Sequence, residues 1–429
     1  MKRKAIEELY AWKKNKDRKP LIMLGARQVG KTWLLKEFGK EAFKKCAYIN
    51  FEDNEMLHNL FLNDFDIERI INILQWSTDI TIDEETLIIL DEIQEAPRGI
   101  TSLKYFYEKK PHLHVVAAGS LLGIAMHQND SFPVGKVDFL HLYPFSFFEF
   151  LEAIGESKMV DLLCLKDWPN IQLFRSKFEE KLRQYYFVGG MPAAITAFIE
   201  NADLTKVRTT QKAILEAYER DFSKHTPMNE VPRVRMVWKS IPSQLSKENK
   251  KFIYGVVKEG GRAKEFEIAI EWLKDAGLIY KVNRCKKAQL PLAAYEDLSA
   301  FKIFMSDIGL MGAMSNVPAQ SILDANALFT DFKGALTEQY VMQQLMIKPN
   351  LSVYYWSAEN SRGELDFLVQ DENEIIPIEV KAEENLQAKS LRVFIERNPS
   401  LHGIRFSMSP YRQQNWLTNY PLYSLLAVM

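Results

Sequence analysis

Cysteine is scarce. Three occur in 429 residues (Cys46, Cys164 and Cys285), scattered and without a Cys-x-x-Cys spacing. Neither a disulfide framework nor a zinc site is indicated, and a reducing, cytoplasmic setting is the default expectation. Long apolar runs are missing too. The stretch from Phe139 to Leu151 is apolar but broken by His141, Pro144, Ser146 and Glu149, which leaves no candidate membrane span. The opening residues, Met1-Lys2-Arg3-Lys4-Ala5-Ile6-Glu7, lack the apolar stretch of a signal peptide. Charge of one sign is absent as well: 55 Lys and Arg against 56 Asp and Glu leave a net charge of −1. Attraction to nucleic acid or to an anionic membrane must then come from a local patch. His58, His112, His114, His127, His141, His225 and His402 show no paired ligand spacing and read as structural or surface residues. No Gly-x-Ser-x-Gly elbow, internal repeat or low-complexity segment is found.

What is present starts near residue 20. Leu21 to Leu24 reads as a buried strand running into Gly25-Ala26-Arg27-Gln28-Val29-Gly30-Lys31-Thr32, and a helix pattern follows from Trp33 to Phe43. Strand, glycine-bounded loop and helix is the context of a phosphate-binding loop. Its glycines let backbone N–H groups turn inward at a phosphate, and the new helix adds its positive end. Lys31 can reach β- and γ-phosphates, and Thr32 can offer a hydroxyl to Mg2+. Thr86-Leu87-Ile88-Ile89-Leu90-Asp91-Glu92-Ile93 then supplies the acidic partner, an apolar strand closing on two carboxylates. About sixty residues after such a loop, Asp91 can hold Mg2+ through water and Glu92 can orient the attacking water. A third strand candidate, His114 to Ala118, ends in Gly119-Ser120. Ser120 either senses the γ-phosphate or water, or is an ordinary strand-to-loop turn; both readings stay open. Alternating strands and helices from 20 to 143 imply a three-layer α/β domain with a largely parallel sheet. Residues 1–18 read as a basic amphipathic helix, solvated and leading into the core.

These residues carry a resemblance. The loop Gly25–Thr32, Leu90-Asp91-Glu92-Ile93-Gln94, Ala118-Gly119-Ser120-Leu121 and Leu142-Tyr143-Pro144-Phe145-Ser146-Phe147-Phe148-Glu149-Phe150 resemble a family of bacterial and archaeal AAA-type ATPases. Members carry a carboxy-terminal domain of unknown function with a restriction-endonuclease-like character. Tyr186-Phe187-Val188-Gly189-Gly190-Met191-Pro192, Glu364-Leu365-Asp366 and Ile378-Glu379-Val380-Lys381 extend the match over nearly the whole chain. In similar proteins an arginine follows the glycine matched to Gly135; here Lys136 stands there, keeping charge but losing the planar fork of an arginine finger. The resemblance implies ATP and Mg2+ as cofactors, with the whole loop Gly25–Thr32 on the nucleotide, Thr32 and Asp91 on the metal, and Lys31, Glu92 and Ser120 in catalysis.

Four regions follow: an AAA-type core over 1–145, a helical region over 146–232, a winged-helix-like module over 233–318 and a restriction-endonuclease-like domain over 319–429. The second reads as a lid over the nucleotide or as a plain helical connector. In the third, Val234 to Leu245, Arg262 to Ala276 and the strand beginning at Gly277 give the winged-helix order. Lys250, Lys251, Lys258, Arg262, Lys264, Lys274, Lys281, Arg284, Lys286 and Lys287 form a local positive patch there. The patch suits DNA phosphates, or is a solvated face; Glu265, Glu267, Glu271 and Asp275 lie on the same helix.

In the fourth region, Glu364 to Val369 and Ile375 to Lys381 alternate as a β-hairpin around Asp371-Glu372-Asn373-Glu374. A turn centred on residues 372–373 sets Asp366 opposite Glu379 and Glu364 opposite Lys381, on one face, with Leu365, Phe367 and Val369 on the other. Two facing carboxylates repel unless a cation lies between them, which favours a metal. The arrangement resembles the metal-dependent nuclease core written D…ExK. That resemblance makes Asp366 and Glu379 ligands, Lys381 the water-positioning group and Glu338 a further carboxylate. A hairpin of cross-strand ion pairs, or an inactive nuclease fold kept for binding, is the alternative. The sequence thus predicts a Mg2+-dependent ATPase that acts on or with DNA. The competing expectation is a nucleotide-switched module for a protein partner; a homo-oligomer is compatible with both, and no membrane is involved.

Overall fold

A computed structural model describes residues 1–120, 122–125, 132–247, 250–323, 330–358, 363–382 and 388–429. Leu121, His127 and positions 359–362 of the loop before Glu364 lie outside the described residues. The chain divides into two compact units, Met1–Tyr143 with Asp275–Leu278, and Pro144–Lys274 with Ile279–Met429.

The first unit is built on five parallel strands: β1 (Leu21–Leu24), β2 (Lys45–Asn50), β3 (Thr86–Asp91), β4 (His114–Ala118) and β5 (Asp138–His141). Their spatial order is β2-β3-β4-β1-β5. Every residue of β3 and β4 is buried, which is why both read as short unbroken apolar runs rather than alternating ones. Ile22, Ile49, Ile88, Leu90, Leu74 and Phe106 belong to one continuous core formed by strands and helices. The helix Ile67–Thr78 starts where the Asp66 carboxylate accepts from the N–H groups of Glu68 and Arg69. Because β4 lies between β1 and β3, the loops leaving these three strands emerge side by side. The amino-terminal helix Ala5–Lys14 is less solvated than expected: Leu9 and Trp12 are buried, and so is Arg3 just before it. His114 lies edge-on to the rings of Trp12 and Phe43, and burial foremost, with Arg18 and Lys13 nearby, lowers it to about 4, so it is neutral.

The second unit opens with helices from Phe147–Ala153 to Leu204–His225. Ser146 and Glu149 form a reciprocal capping box at the first of them. Helices Val231–Leu245, Tyr254–Val257 and Ala263–Asp275 then lead into β6 (Ile279–Cys285) and β7 (Glu296–Met305). This strand pair continues the carboxy-terminal sheet. The remaining strands are β8 (Leu351–Ser357), β9 (Glu364–Asp371), β10 (Glu374–Lys381), β11 (Gly403–Ser407), β12 (Arg412–Gln413) and β13 (Leu417–Pro421). All eight are hydrogen-bonded in the order β12-β13-β11-β10-β9-β8-β6-β7. β6 joins β8 in parallel at Arg284↔Tyr355 and Cys285↔Trp356.

The hairpin β9–β10 has the expected register, from Glu374↔Asp371 to Ile378↔Phe367. Its expected strict alternation fails at one point. Tyr354 pairs with Leu368 but Trp356 pairs with Leu365, so Asp366 and Phe367 together face Tyr355 in a β-bulge. Leu365 therefore joins Leu368, Leu391 and Phe394 in one apolar cluster, whereas Phe367 packs on Phe304 at 5.8 Å between ring centroids. The slip re-aims Asp366 toward the helix Thr330–Met346, which carries Glu338.

Candidate functional site

The loop between β1 and the helix Lys31–Ala42 owes its shape to three residues of positive φ: Gly25 (146°), Gln28 (67°) and Gly30 (96°). At Gly25 a Cβ would lie 2.2 Å from the Leu142 carbonyl oxygen, so only glycine fits. Val29 is fully buried, and its carbonyl accepts from Arg3 Nη1 at 2.9 Å while Arg3 Nη2 donates to the Tyr143 carbonyl at 2.6 Å. Arg3 thus ties the loop to the chain beyond β5. Sequence reading missed it, since a lone arginine in a basic amino terminus carries no pattern.

Lys31 is 7% exposed, and its ammonium donates to the carbonyls of Gly25 (2.8 Å) and Ala26 (3.0 Å). Burial lowers it to about 8, against the opposing pull of the Glu92 and Asp91 carboxylates. Thr32 Oγ1 donates to Asp91 Oδ2 at 2.8 Å, and the Tyr48 hydroxyl donates to the same oxygen at 3.0 Å. The two ends expected to cooperate, loop and acidic strand, are therefore in direct contact. A divalent cation fits this donor set: a hydroxyl and a carboxylate oxygen face one another beside a phosphate-type loop, and no ammonium pairs with Asp91 at salt-bridge distance among the described residues.

Glu92 follows β3 in the left-handed region, at φ 50°, a conformation that a non-glycine residue rarely keeps without support. Its Oε2 accepts from Ser120 N (3.0 Å), Ser120 Oγ (3.2 Å) and Gln94 Nε2 (2.5 Å). Ser120 thus touches Glu92 itself, a third role beside the two open readings. Gln94 stands in the sequence only as one letter of the Leu90–Gln94 motif. Its amide lies where a Cβ on Gly119 would come within 1.9 Å of Gln94 Oε1, so Gly119 makes room for it. Lys136, at the position of the expected arginine, pairs with Glu108 at 3.3 Å and lies over the Tyr107 ring.

The second unit gathers the other candidates. Glu338 and Asp366 share a side-chain hydrogen bond, and the Val380 N–H donates to Asp366 Oδ2 at 2.7 Å. Burial, Glu338 and Glu379 push the Asp366 carboxyl well above the usual carboxylate range, which makes it the donor toward Glu338. Lys381 pairs with Glu379 at 2.7 Å. Two cations that the sequence did not single out for this site also enter. Lys250 pairs with Glu338, and the fully buried Lys302 of β7 pairs with Glu364 and lies 3.9 Å from Glu338 Oε2. Glu364, expected opposite Lys381, takes Lys302 instead. Arg405 Nε donates to Asn419 at 2.8 Å, and its charge reaches Glu379. Among the described residues, no group of three or more His, Cys, Asp or Glu is arranged to hold a metal ion.

The basic patch over 250–287 is smaller than its sequence suggested. Lys250 is on Glu338, Lys274 and Lys281 are on Glu271, and Arg284 is on Asp297. No described helix is long and apolar enough to cross a membrane.

Residues 17–151 match a family model described as AAA domain. The first unit is an AAA-type P-loop domain. Beyond the AAA domain, residues 179–321 match a domain of unknown function (DUF8612) and residues 333–425 another (DUF4143). The latter description does not carry the restriction-endonuclease likeness expected there. No curated protein matches the chain. Among solved structures, the Walker-type ATPase PABY2304 of Pyrococcus abyssi is similar at 14% identity and TM-score 0.47, over 72% of this chain and 94% of that one. The Aeropyrum pernix ORC1 protein in complex with DNA follows at 12% and 0.28, over 74% and 93%. Cdc6p from Pyrobaculum aerophilum follows at 12% and 0.29, over 75% and 93%. Superpositions this loose decide neither activity nor partner.

Proposed function

We propose that the chain binds ATP with Mg2+ and hydrolyses it to ADP and phosphate. The observation that carries this reading is the double contact at the carboxyl ends of the central strands, Thr32 on Asp91 and Ser120 on Glu92. Lys31 would exchange the carbonyls of Gly25 and Ala26 for β- and γ-phosphate oxygens. Thr32 and Asp91 would hold Mg2+, which when bound draws charge from the phosphate oxygens. Glu92 would accept a proton from water as the water oxygen attacks the γ-phosphorus. The bond from that phosphorus to the β–γ bridging oxygen breaks, and its electron pair leaves with ADP. Ser120 and Gln94 would hold one carboxylate oxygen of Glu92, which directs the other at the water. The test follows phosphate release from ATP with Mg2+, with chelator, and in Asp91→Asn. Release should need the metal and collapse in the variant. Release that ignores both would overturn the assignment.

What the cycle serves has two readings, and one observation favours the second. DNA action would draw on the basic patch, yet four of its ten cations, Lys250, Lys274, Lys281 and Arg284, are engaged with carboxylates of their own chain. We therefore favour nucleotide-governed docking of a protein partner. Steeply salt-dependent DNA binding, lost on charge removal at Lys258, Arg262 and Lys264, would reverse that preference.

A further inference from the structure

The carboxylates that resemble a nuclease metal centre are Glu338, Asp366 and Glu379, with Glu364 beside them. Each is met by a charge or a proton from within the chain. Lys250 pairs with Glu338, Lys302 lies between Glu364 and Glu338, Lys381 pairs with Glu379, and Asp366 is bonded to Glu338 and the Val380 N–H. Arg405 adds a further positive charge on the Glu379 side. With Asp366 carrying a proton, the carboxylates Glu338, Glu364 and Glu379 meet three ammonium groups, Lys250, Lys302 and Lys381, in surroundings where Lys302 is wholly buried and Glu338 and Glu379 nearly so. A divalent ion placed among these balanced pairs would add two positive charges away from water, offset by at most one if Asp366 gave up its proton, which is strongly unfavourable. The Oε2 atom of Glu379 meets no hydrogen-bond donor, but it is already in the field of Arg405, as Glu338 Oε2 is in that of Lys302.

We infer that Lys302, with Lys250, takes the place of a metal ion in the carboxy-terminal cluster, so that this nuclease-like site is closed to divalent cations and does not cut phosphodiesters. Lys302 reaches the carboxylates from β7, a strand outside the hairpin that carries the D…ExK pattern. The facing carboxylates therefore need no metal to coexist. The inference is independent of the ATPase reading, because it concerns other residues in the other unit.

The test is a Mn2+ titration of the full chain without nucleotide, followed by electron paramagnetic resonance, in an Asp91→Asn background that silences the first site. The expected result is no stoichiometric Mn2+ site that depends on Asp366. A site abolished by adding Asp366→Asn would overturn the inference; a site that survives that change lies elsewhere and leaves the cluster closed. In the same background Lys302→Ala, which removes the charge and opens space, should gain one Mn2+ site, and Lys302→Met, which keeps the space filled, should gain less. A folded Lys302→Ala chain with no gain would refute the role given to Lys302. Should that variant fail to fold, the Asp366→Asn comparison still decides.

Discussion

The two units each set carboxylates and lysines together, but they balance charge in different ways. In the AAA-type domain the acidic oxygens are held by neutral donors: Thr32 and Tyr48 on Asp91, Ser120 and Gln94 on Glu92. Lys31 meanwhile donates to backbone carbonyls. Neutral donors fix a carboxylate without cancelling its charge, so the site keeps an electrostatic demand that a metal and a polyphosphate can meet. In the carboxy-terminal sheet, ammonium groups from Lys250, Lys302 and Lys381 meet the carboxylates directly. The same residue types there make an internal ion cluster, stable when complete and costly when one member is removed. Whether a donor carries charge separates a site that waits for a ligand from one that has supplied its own.

The contrast can be broken by substitution. Glu92→Gln should lower ATP turnover by about 100- to 1,000-fold while ATP still binds, as single-turnover and binding assays would read. Unchanged turnover would remove Glu92 from the chemistry. Lys31→Ala should weaken ATP binding by about 100-fold, seen by calorimetry, because two charge-assisted contacts are lost. In the other unit Lys302→Met should cost about 3–5 kcal/mol in urea unfolding, and Lys302→Met with Glu364→Gln distinctly less, since the pair leaves together. A loss in the double variant equal to the sum of the two single losses would mean that the two charges are not coupled.

Acidity sharpens the same contrast. Burial holds Lys31 down at about 8, and a bound phosphate would raise it again by favouring the charged form. Below about 8 the lysine is already protonated when ATP arrives; above it, binding must take up a proton. ATP affinity should hold at lower pH and fall by up to about tenfold per unit above 8. Calorimetry in buffers of different ionisation enthalpy would register the uptake. Smallest of all, Gln94→Ala should cut kcat by about three- to tenfold and leave KM for ATP alone, the loss of one hydrogen bond to a carboxylate. A change in KM only would return Gln94 to a structural role.

Much of this was legible in the sequence where chemistry and local pattern coincide. Gly25 to Thr32 declares itself because strand, loop and helix are consecutive, and β3 and β4 lie where their apolar runs indicated. The register of β9 with β10 followed from the turn alone. The bulge at Asp366 did not, since it is set by the opposite neighbour, β8. Arg3 and Lys302 could not be read either. Each acts on residues far along the chain; Arg3 is one basic residue among several at the amino terminus, and Lys302 stands alone in the apolar run Ala300–Met305, where its partners leave no local pattern. Gln94 is close in sequence to Glu92, but its purpose depends on a backbone one helix and one strand further along the chain, at Gly119. Long-range contacts of single polar side chains leave no period behind.

The junction between β6 and β8 has a practical corollary. The segments 179–321 and 333–425, matched to separate families, contribute strands to one continuous ladder. Expressed apart, each half would carry an open seam of unpaired backbone groups that the other half is shaped to cover. Mixed together, the halves should seek one another, and the apparent border between two modules would turn out to be a place where the polypeptide can be nicked yet reassemble.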